Sequence, residues 1–362
     1  MPDRRPLRAL TAAAAAVAAA ALALAAPAAA KAAGVATQPI AESPEEILDY
    51  WTPKRMREAE SAGPPAVPGG GQGEALAEAA AIPPDAETDP ALDTVYPQRV
   101  HGILFVVLGG QRASCSASVV SSEDEDLIVT AGHCLLIPGE LSGGAGIVFG
   151  ESAMFVPGYR AVPAGTATPS EPFGRFAGIR LATPRAFAQI GDISFDFGAV
   201  KLAPGPAGKI ESVIGARGIA FNRKPKSFRN DAFEILGYPA KPEPEYDGGR
   251  MILCVSRFQG FERFTSAPVI APCNQQEGSS GAGWVRNGRV ESITSHAGCA
   301  SPTGCSLISG SYFGDAEFDV YRNLGGISKG KSKRLKRCKR GKSKSKRRAC
   351  RGKVQRFAPS GG

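Results

Sequence analysis

Short apolar runs recur along the chain between about residues 100 and 324, and Gly, Pro, Asn or Asp residues separate them. Most runs have the length of a typical strand, and Asn287-Gly288 inside the longest run is a hairpin signal. Many short strands at this spacing predict an all-β sandwich or barrel. The segment DAEFDVYRNL (315–324) predicts a short closing helix. The predicted strands lie in 102–108, 115–121, 126–131, 145–150, 197–203, 232–239, 250–256, 283–295 and 306–314.

The N-terminus has the pattern of a secretory signal peptide. Three arginines within the first eight residues precede an Ala/Leu run that reaches about Ala26, and small residues follow near Ala30 and Ala33. This order of basic, apolar and small residues predicts a signal peptide over residues 1–30. The run is short and alanine-rich for a membrane anchor, so we expect no transmembrane segment in the mature protein.

Residues 31–96 predict a pro-region or linker before the compact domain. The part over 44–60 has a short helical pattern, whereas 63–90 is rich in Pro, Gly and Ala and cannot build a core. A linker that persists in the mature protein is the alternative. We expect both terminal extensions of the chain to lack fixed structure.

The net charge of +9 belongs to the C-terminus alone. Residues 329–356 contain 16 Lys or Arg and no acidic residue, whereas the rest of the chain carries 27 basic and 34 acidic residues. An acidic body therefore precedes a basic low-complexity tail over 327–362. Such a tail is either a solvated arm or an attachment to an anionic cell-envelope polymer. Aromatic residues do not alternate with the basic ones before Phe357, which argues against specific nucleic-acid binding.

The chain has eight cysteines, and export to an oxidising compartment predicts that they form disulfides. Their spacing lacks the CxxC pairs of a zinc site, and we expect neither a metal nor a cofactor. The cysteines are Cys115, Cys134, Cys254, Cys273, Cys299, Cys305, Cys338 and Cys350.

Three segments carry residues suited to nucleophilic catalysis. VTAGHC contains His133, SFDFGAVKL contains Asp196, and CNQQEGSSGAGW contains Ser280 in a G-x-S-G pattern. A serine hydroxyl needs a base to take its proton, histidine can serve near neutral pH, and a buried carboxylate orients the histidine. Glycines before the serine let backbone N–H groups point at an oxyanion, and we assign that role to Gly278 and Ser280.

These motifs resemble the His, Asp and Ser motifs of chymotrypsin-like serine peptidases, closest to the secreted bacterial glutamyl endopeptidases and their trypsin-like relatives. The resemblance covers about residues 97–325 and defines a peptidase domain over 97–326. It implies two six-stranded antiparallel β-barrels with the catalytic cleft between them. His133 and Asp196 would come from the first barrel, and Ser280 from the second.

Two alternatives remain at the catalytic positions. Asp192 also precedes an apolar residue, although DFGAVKL matches the aspartate motif better. Ser279 adjoins Ser280, although the G-x-S-G register selects Ser280. Ser279 also stands where trypsin-type zymogens have an aspartate for the new N-terminus. Cleavage after Arg99 would therefore not activate the protein through an ion pair between the new N-terminus and this position. Removal of the pro-region would instead unblock the cleft or complete folding.

The resemblance also bears on specificity and on the disulfides. His296 and Ser295 fall near the strand that lines the specificity pocket, where a histidine would favour an acidic substrate residue; a wall residue is the alternative. His101 is expected to be incidental. The Cys115–Cys134 pairing resembles the family's bridge beside the catalytic histidine. The further pairings considered are Cys254–Cys273, Cys299–Cys305, Cys338–Cys350 and, as an alternative, Cys273–Cys299.

The sequence therefore predicts a secreted, monomeric serine endopeptidase that acts on protein or peptide substrates through an acyl-enzyme. Two other functions stay open. One is a catalytically silent, peptidase-like binding protein, and the other is an envelope-binding cationic protein that acts through its tail.

Overall fold

The computed structural model describes residues 34–60, 62–64, 86–89, 91–162, 168–229, 231–262, 265–298 and 307–327. The signal segment, most of 63–90 and the basic tail lie outside these residues.

The described chain is mostly β-structure with a few short helices. The helices are α1 Pro44–Tyr50, α2 Pro53–Glu60, α3 Arg185–Ile190, α4 Ile210–Ile214 and α5 Asp315–Asn323. In chain order the strands are β1 Val35–Pro39, β2 Ala86–Glu87, β3 His101–Leu108, β4 Gln111–Val119, β5 Leu127–Thr130, β6 Leu136–Ile137, β7 Val148–Phe149, β8 Ser152–Pro157, β9 Phe176–Pro184, β10 Gly198–Leu202, β11 Gly218–Ile219, β12 Ala232–Gly237, β13 Ile252–Phe261, β14 Pro268–Ala271, β15 Gly283–Arg286, β16 Arg289–Gly298 and β17 Leu307–Gly310.

Six of these strands close the first barrel. They run in the order β9-β10-β5-β4-β3-β8, and β8 pairs with β9 to complete the ring. Every pair in the ring is antiparallel. Closure leaves no free sheet edge among the six strands, as in other antiparallel barrels.

The second barrel also closes with six antiparallel strands. The order is β16-β15-β12-β13-β14-β17, and β17 returns to pair with β16. The Asn287-Gly288 turn joins β15 to β16 with φ values of 51° and 72°, so it is a two-residue hairpin with both turn residues left-handed. Phe233, Trp284 and Ile308 are fully buried in the core of this barrel.

Strand β3 shows why one predicted strand is apolar throughout and does not alternate. All eight of its residues are buried. Leu104 and Val106 point into the barrel core, whereas Ile103 and Phe105 face a second apolar cluster that the N-terminal segment completes. A strand covered on both faces needs apolar side chains at every position.

The N-terminal segment over 34–60 is folded onto the first barrel, in contrast to the expectation for the extension as a whole. Strand β1 pairs antiparallel with β9 along its whole length. Trp51 is fully buried, and its indole N–H donates to Ser152 Oγ at 3.2 Å. Ile47 and Met56 enter the same cluster as Phe105. The short helical pattern over 44–60 therefore corresponds to two helices with a packing role.

The predicted closing helix is present as α5. Gly314 N donates to Glu317 Oε2 at 2.7 Å and so caps the first turn, and Val320 and Tyr321 pack into the first barrel's core. Within the described residues, no helix has both the length and the apolar character needed to cross a bilayer.

Several strands differ from the sequence-based expectation. The run 145–150 contributes only the two residues of β7, and the barrel strands β8, β9 and β14 have no counterpart among the predicted strands. In β9 the apolar pattern is interrupted by Gly178 and Arg180. These interruptions hide the strand in the sequence, although β9 is central to closing the barrel.

Candidate active site

His133 follows β5 in a single turn of 3-10 helix over Gly132–Cys134. Gly132 permits a close approach here, because a Cβ at this position would lie 2.7 Å from Phe187 Cδ1 and 3.1 Å from Asp196 Oδ1. The turn places the His133 side chain at the end of the first barrel, with only 8% of the residue exposed.

Asp196 lies two residues before the start of β10 and holds His133 through two hydrogen bonds. His133 Nδ1 lies 2.7 Å from Asp196 Oδ2, and the His133 backbone N–H donates to Asp196 Oδ1 at 2.9 Å. Asp196 is 1% exposed. Burial alone raises its pKa, but the charge of His133 and the hydrogen bonds from His133 and Ser295 outweigh burial and lower the pKa below its usual value. The carboxyl group is therefore an ionised acceptor at neutral pH.

The rival aspartate has a different place. Asp192 caps the 3-10 turn over Ile193–Phe195, and its Oδ1 accepts from Ser194 N at 3.0 Å. Its carboxylate is occupied by a local backbone contact, as is typical of an N-cap. The hydrogen bond to His133 belongs to Asp196.

The Cys115–Cys134 disulfide lies beside His133 and links β4 to the turn that carries the histidine. The sulfur atoms of both cysteines and a His133 ring nitrogen lie within 4.8 Å of one another. Because the two sulfurs are bonded to each other, neither is a thiolate that could bind a metal. Cys254 and Cys273 form a second disulfide, so Cys273 does not pair with Cys299. Cys299, Cys305, Cys338 and Cys350 lie outside the described residues.

Ser280 lies in a tight turn that leads into β15 of the second barrel. Gly281 has φ of 84°, and a Cβ there would lie 2.1 Å from Thr130 Oγ1 and 2.3 Å from Ser116 O. Ser116 N donates to Ser280 O at 2.8 Å. Cys134 Sγ lies 3.9 Å from the same carbonyl oxygen, which is a contact, since a disulfide sulfur has no proton to donate. The serine turn therefore packs directly against the strand and turn that carry His133.

The two adjacent serines differ in their surroundings. Ser279 is 1% exposed, and its hydroxyl donates to Gln276 O at 2.5 Å. Ser280 is half-buried, and its hydroxyl makes no hydrogen bond with any residue that the structure describes, His133 included. Such catalytic contacts are often long in a free enzyme.

Backbone amides alternate between engaged and free in this turn. Ser279 N donates to Gln276 O at 3.0 Å, and Gly281 N donates to Thr294 O at 2.8 Å. The amides of Gly278 and Ser280 have no acceptor among the described residues. Gly278 has φ of 84°, a conformation that glycine adopts without strain. These two free donors are the pair that the sequence suggested for an oxyanion.

Ser295 and His296 lie on β16 next to the Asp196 carboxylate. Ser295 Oγ donates to Asp196 Oδ2 at 2.5 Å, and His296 Nδ1 lies 3.1 Å from Ser295 Oγ. His296 Nε2 lies 2.7 Å from Glu262 Oε1. Both ring nitrogens of His296 therefore have partners inside the protein.

Glu262 is a site residue that the sequence did not indicate. It follows β13 directly and is 34 positions from His296. No motif surrounds it, and only the pairing of β14 with β17 and of β17 with β16 brings the two residues together.

His101 lies away from this cluster, inside the first barrel. Its Nδ1 lies 2.8 Å from Ser118 Oγ, and Arg217 Nε donates to its Nε2 at 3.3 Å. Burial, together with the charge of Arg217, lowers the pKa of His101 well below its usual value. This is the environment of a neutral, structural histidine.

The N-terminal segment reaches the rim of the site. Ser114 N, one residue before Cys115, donates to Ala62 O at 3.0 Å. A Cβ on Gly63 would lie 3.5 Å from Glu277 Cβ, one residue before Gly278. Residues 62 and 63 therefore lie between β4 and the turn that carries Ser280.

Comparison with known proteins identifies the architecture. No protein-family model matches the sequence, and no curated protein matches it. Protease Anisep from Arthrobacter nicotinovorans is 24% identical with a TM-score of 0.53 over 63% of this chain and 96% of its own. Serine protease AL20 from an extremophilic microorganism is 24% identical with a TM-score of 0.53 over 64% and 98%. A Glu endopeptidase is 17% identical with a TM-score of 0.51 over 68% and 100%. The protein therefore has the fold of the chymotrypsin-like serine proteases, with two closed six-stranded antiparallel β-barrels.

Proposed function

We propose that this protein is a secreted serine endopeptidase that cleaves peptide bonds through an acyl-enzyme on Ser280. The observation that carries the proposal is the 2.7 Å contact between His133 Nδ1 and Asp196 Oδ2, at a seam where the Ser280 turn packs on the histidine's strand. The fold shared with serine proteases supports the same reaction.

In the first half of the reaction, Ser280 Oγ attacks the carbonyl carbon of the scissile bond. The hydroxyl proton passes to His133 Nε2, because Asp196 keeps the other nitrogen protonated. The electron pair of the carbonyl bond moves onto oxygen, where the free amides of Gly278 and Ser280 stabilise the charge. Collapse then breaks the C–N bond, and the amine leaves with the proton that His133 returns.

In the second half, water replaces the amine. His133 takes a proton from water as its oxygen attacks the ester carbonyl, and the same two amides stabilise the second oxyanion. Collapse breaks the bond to Ser280 Oγ, which recovers its proton from His133. The residues of this chain complete the cycle without a cofactor.

Cleavage of a diverse peptide mixture tests the proposal. The mature protein should cut peptides, and Ser280→Ala should reduce the rate by several orders of magnitude. Equal products from both proteins would reject Ser280 as the nucleophile. A mature wild-type protein that binds peptides without cutting them would instead identify a catalytically silent binding protein.

We further propose that residues 1–30 direct export and that residues 31–96 form a pro-region. The position of residues 62 and 63 beside the Ser280 turn supports a role in covering the cleft until maturation. The N-terminal residue of the secreted, active protein tests this proposal. A terminus before residue 60 would show that the folded segment is retained in the active protein.

The basic tail is proposed to attach the enzyme to an anionic envelope polymer. Its clustered positive charge predicts binding that weakens steeply with salt. A protein that lacks residues 327–362 should lose this binding and retain peptidase activity. Equal binding by the shortened protein would contradict the proposal.

A further inference from the structure

The hydrogen bonds at the candidate site continue past Asp196 into the second barrel. Ser295 Oγ lies 2.5 Å from Asp196 Oδ2, and His296 Nδ1 lies 3.1 Å from Ser295 Oγ. His296 Nε2 lies 2.7 Å from Glu262 Oε1. A single line of contacts thus joins His133 to Glu262 through three intermediate residues.

Counting donors and acceptors along this line assigns a role to each ring nitrogen of His296. The Asp196 carboxylate is ionised and only accepts, so the single proton of the Ser295 hydroxyl must point toward it. Ser295 Oγ can then only accept from His296, which requires a proton on Nδ1. The Glu262 carboxylate also only accepts, which requires a proton on Nε2. With both nitrogens as donors, the contact pattern is that of an imidazolium ring.

Glu262 is built to hold that charge. Ser309 Oγ donates to its Oε1 at 2.6 Å, and Thr265 Oγ1 donates to its Oε2 at 2.7 Å. The side chains of His296 and Glu262 are only 14% and 16% exposed. Burial raises the pKa of Glu262, but the hydrogen bonds and the charge of His296 lower it overall to about 2.

Among the described residues, Glu262 is the counter-ion that faces His296. Glu262 faces it from the end of β13, and Asp196 and His133 lie beyond Ser295. The neighbouring side chain on β17 is the neutral Ser309, which contacts Glu262. With both N–H groups engaged, His296 has none left for an acidic substrate side chain. We therefore assign His296 to the support of Ser295 and Asp196. This assignment replaces the recognition of an acidic substrate residue that the sequence suggested.

We propose that Glu262 is a positioning residue that keeps His296 doubly protonated, so that Ser295 gives its only proton to Asp196. This inference rests on the proposed peptidase function for its catalytic consequence, whereas the protonation state stands on the hydrogen-bond geometry alone. If His296 loses the proton on Nδ1, that nitrogen becomes an acceptor. Ser295 then has two acceptors for one proton, and Asp196 loses part of its support. We therefore expect kcat to fall as the pH rises and His296 loses this proton.

Nitrogen NMR of protein labelled with ¹⁵N-histidine tests the protonation state without any activity. The chain has only three histidines, and His296→Gln assigns one set of signals. At pH 7 both nitrogens of His296 should show protonated shifts, and Glu262→Gln should move the loss of one proton to lower pH. A neutral His296 in the wild-type protein at pH 7 would overturn the inference.

Kinetics test the catalytic consequence. Glu262→Gln should lower kcat on the order of tenfold, the effect of losing a charge-assisted hydrogen bond, with little change in KM. In the pH profile of kcat, the alkaline limb should begin at lower pH than in the wild type. In a Ser295→Ala background, which breaks the line, Glu262→Gln should have no further effect. Ser309→Ala, a milder change, should shift the limb less in the same direction. Glu234→Gln removes a charge from an exposed position of β12 and should match the wild type.

The outcomes separate this inference from the peptidase proposal. A wild-type protein without hydrolysis would reject the function, while the NMR result would still decide the state of His296. An active wild type whose kcat and alkaline limb are unchanged by Glu262→Gln would reject the inference alone. The inference would also be rejected if the kcat losses of Ser295→Ala and Glu262→Gln multiplied in the double variant. Glu262 would then act independently of Ser295.

Discussion

At the scale of single residues, some candidate site residues stand in sequence motifs, whereas others are recognised only from their contacts in the folded chain. His133, Asp196 and Ser280 could be selected from the sequence because each stands in a short, ordered motif. Glu262 could not, because its role arises from the contact with His296, which only barrel closure creates. The burial of Ser279 and the capping role of Asp192 likewise needed coordinates.

The Asp196 carboxylate gives the first prediction. Asp196→Asn keeps the shape but loses the charge and the acceptor that fixes the His133 tautomer, so we expect kcat to fall by about 10⁴, as in the general serine-protease case. Asp192→Asn is the matched control, since among the described residues that side chain accepts from Ser194 N alone. Steady-state kinetics of both variants check this. Comparable losses in the two would contradict the assignment.

Glu317 predicts a pH-dependent stability. Burial raises its pKa from 4.5 to about 7, so the unfolded chain releases the proton first and folding becomes less favourable as pH rises from 4.5 to 7. By linkage the cost reaches about 3 kcal/mol at pH 8 and is absent below pH 4.

Glu317→Gln should therefore raise the free energy of unfolding at pH 8, by up to about 3 kcal/mol, and leave it unchanged at pH 4. Urea unfolding at the two pH values measures the difference. Glu140→Gln, at an exposed position, should change neither value. A stabilisation of equal size at both pH values would disprove the ionisation argument.

At the scale of elements, the apolar runs located most strands of the two barrels, and β5, β10 and β12 lie entirely within predicted runs. The Asn287-Gly288 hairpin and α5 also have the predicted places, whereas β8, β9 and β14 did not stand out as separate runs. The packing of the N-terminal segment could not be predicted from the sequence either. Trp51 and Ile47 are buried only because β3 presents an apolar outer face. Packing partners far apart in the chain decide such cases.

The serine turn should not tolerate a side chain at Gly281. Gly281→Ala would place Cβ against Thr130 Oγ1 and Ser116 O, so we expect lower thermal stability and loss of peptidase activity. Gly110→Ala is the control, because Gly110 also has positive φ (75°) but no atom lies within 4 Å of its Cβ position. That change should cost only about 1–2 kcal/mol and spare activity. Equal behaviour of the two variants would contradict the close packing.

The N-terminal segment should stabilise the first barrel in protein that retains residues 34–60. Trp51→Ala should lower the free energy of unfolding by about 3–5 kcal/mol, the usual cost of deleting a buried aromatic side chain. Leu48→Ala, on helix α1 just before Trp51 and only partly buried against the cluster, should cost less. Chemical unfolding of both variants measures this. An unchanged midpoint for Trp51→Ala would mean that the segment does not add to stability.

At the scale of the whole molecule, the two-barrel architecture followed from the resemblance carried by three motifs, and barrel closure confirms it. Composition alone predicted only an all-β chain. The seam between the barrels brings together a histidine and an aspartate from the first barrel and a serine turn from the second. The opposite charges of body and tail are visible only in the sequence, since the tail lies outside the described residues.

The most direct test of the account is the site of covalent labelling by a fluorophosphonate, located by mass spectrometry of the mature protein. We predict one adduct on Ser280 in the wild type and in Ser279→Ala, and a much slower reaction in His133→Ala. An adduct on Ser279, no adduct at all, or equal labelling of Ser280 without His133 would contradict the claim that the barrel seam activates Ser280.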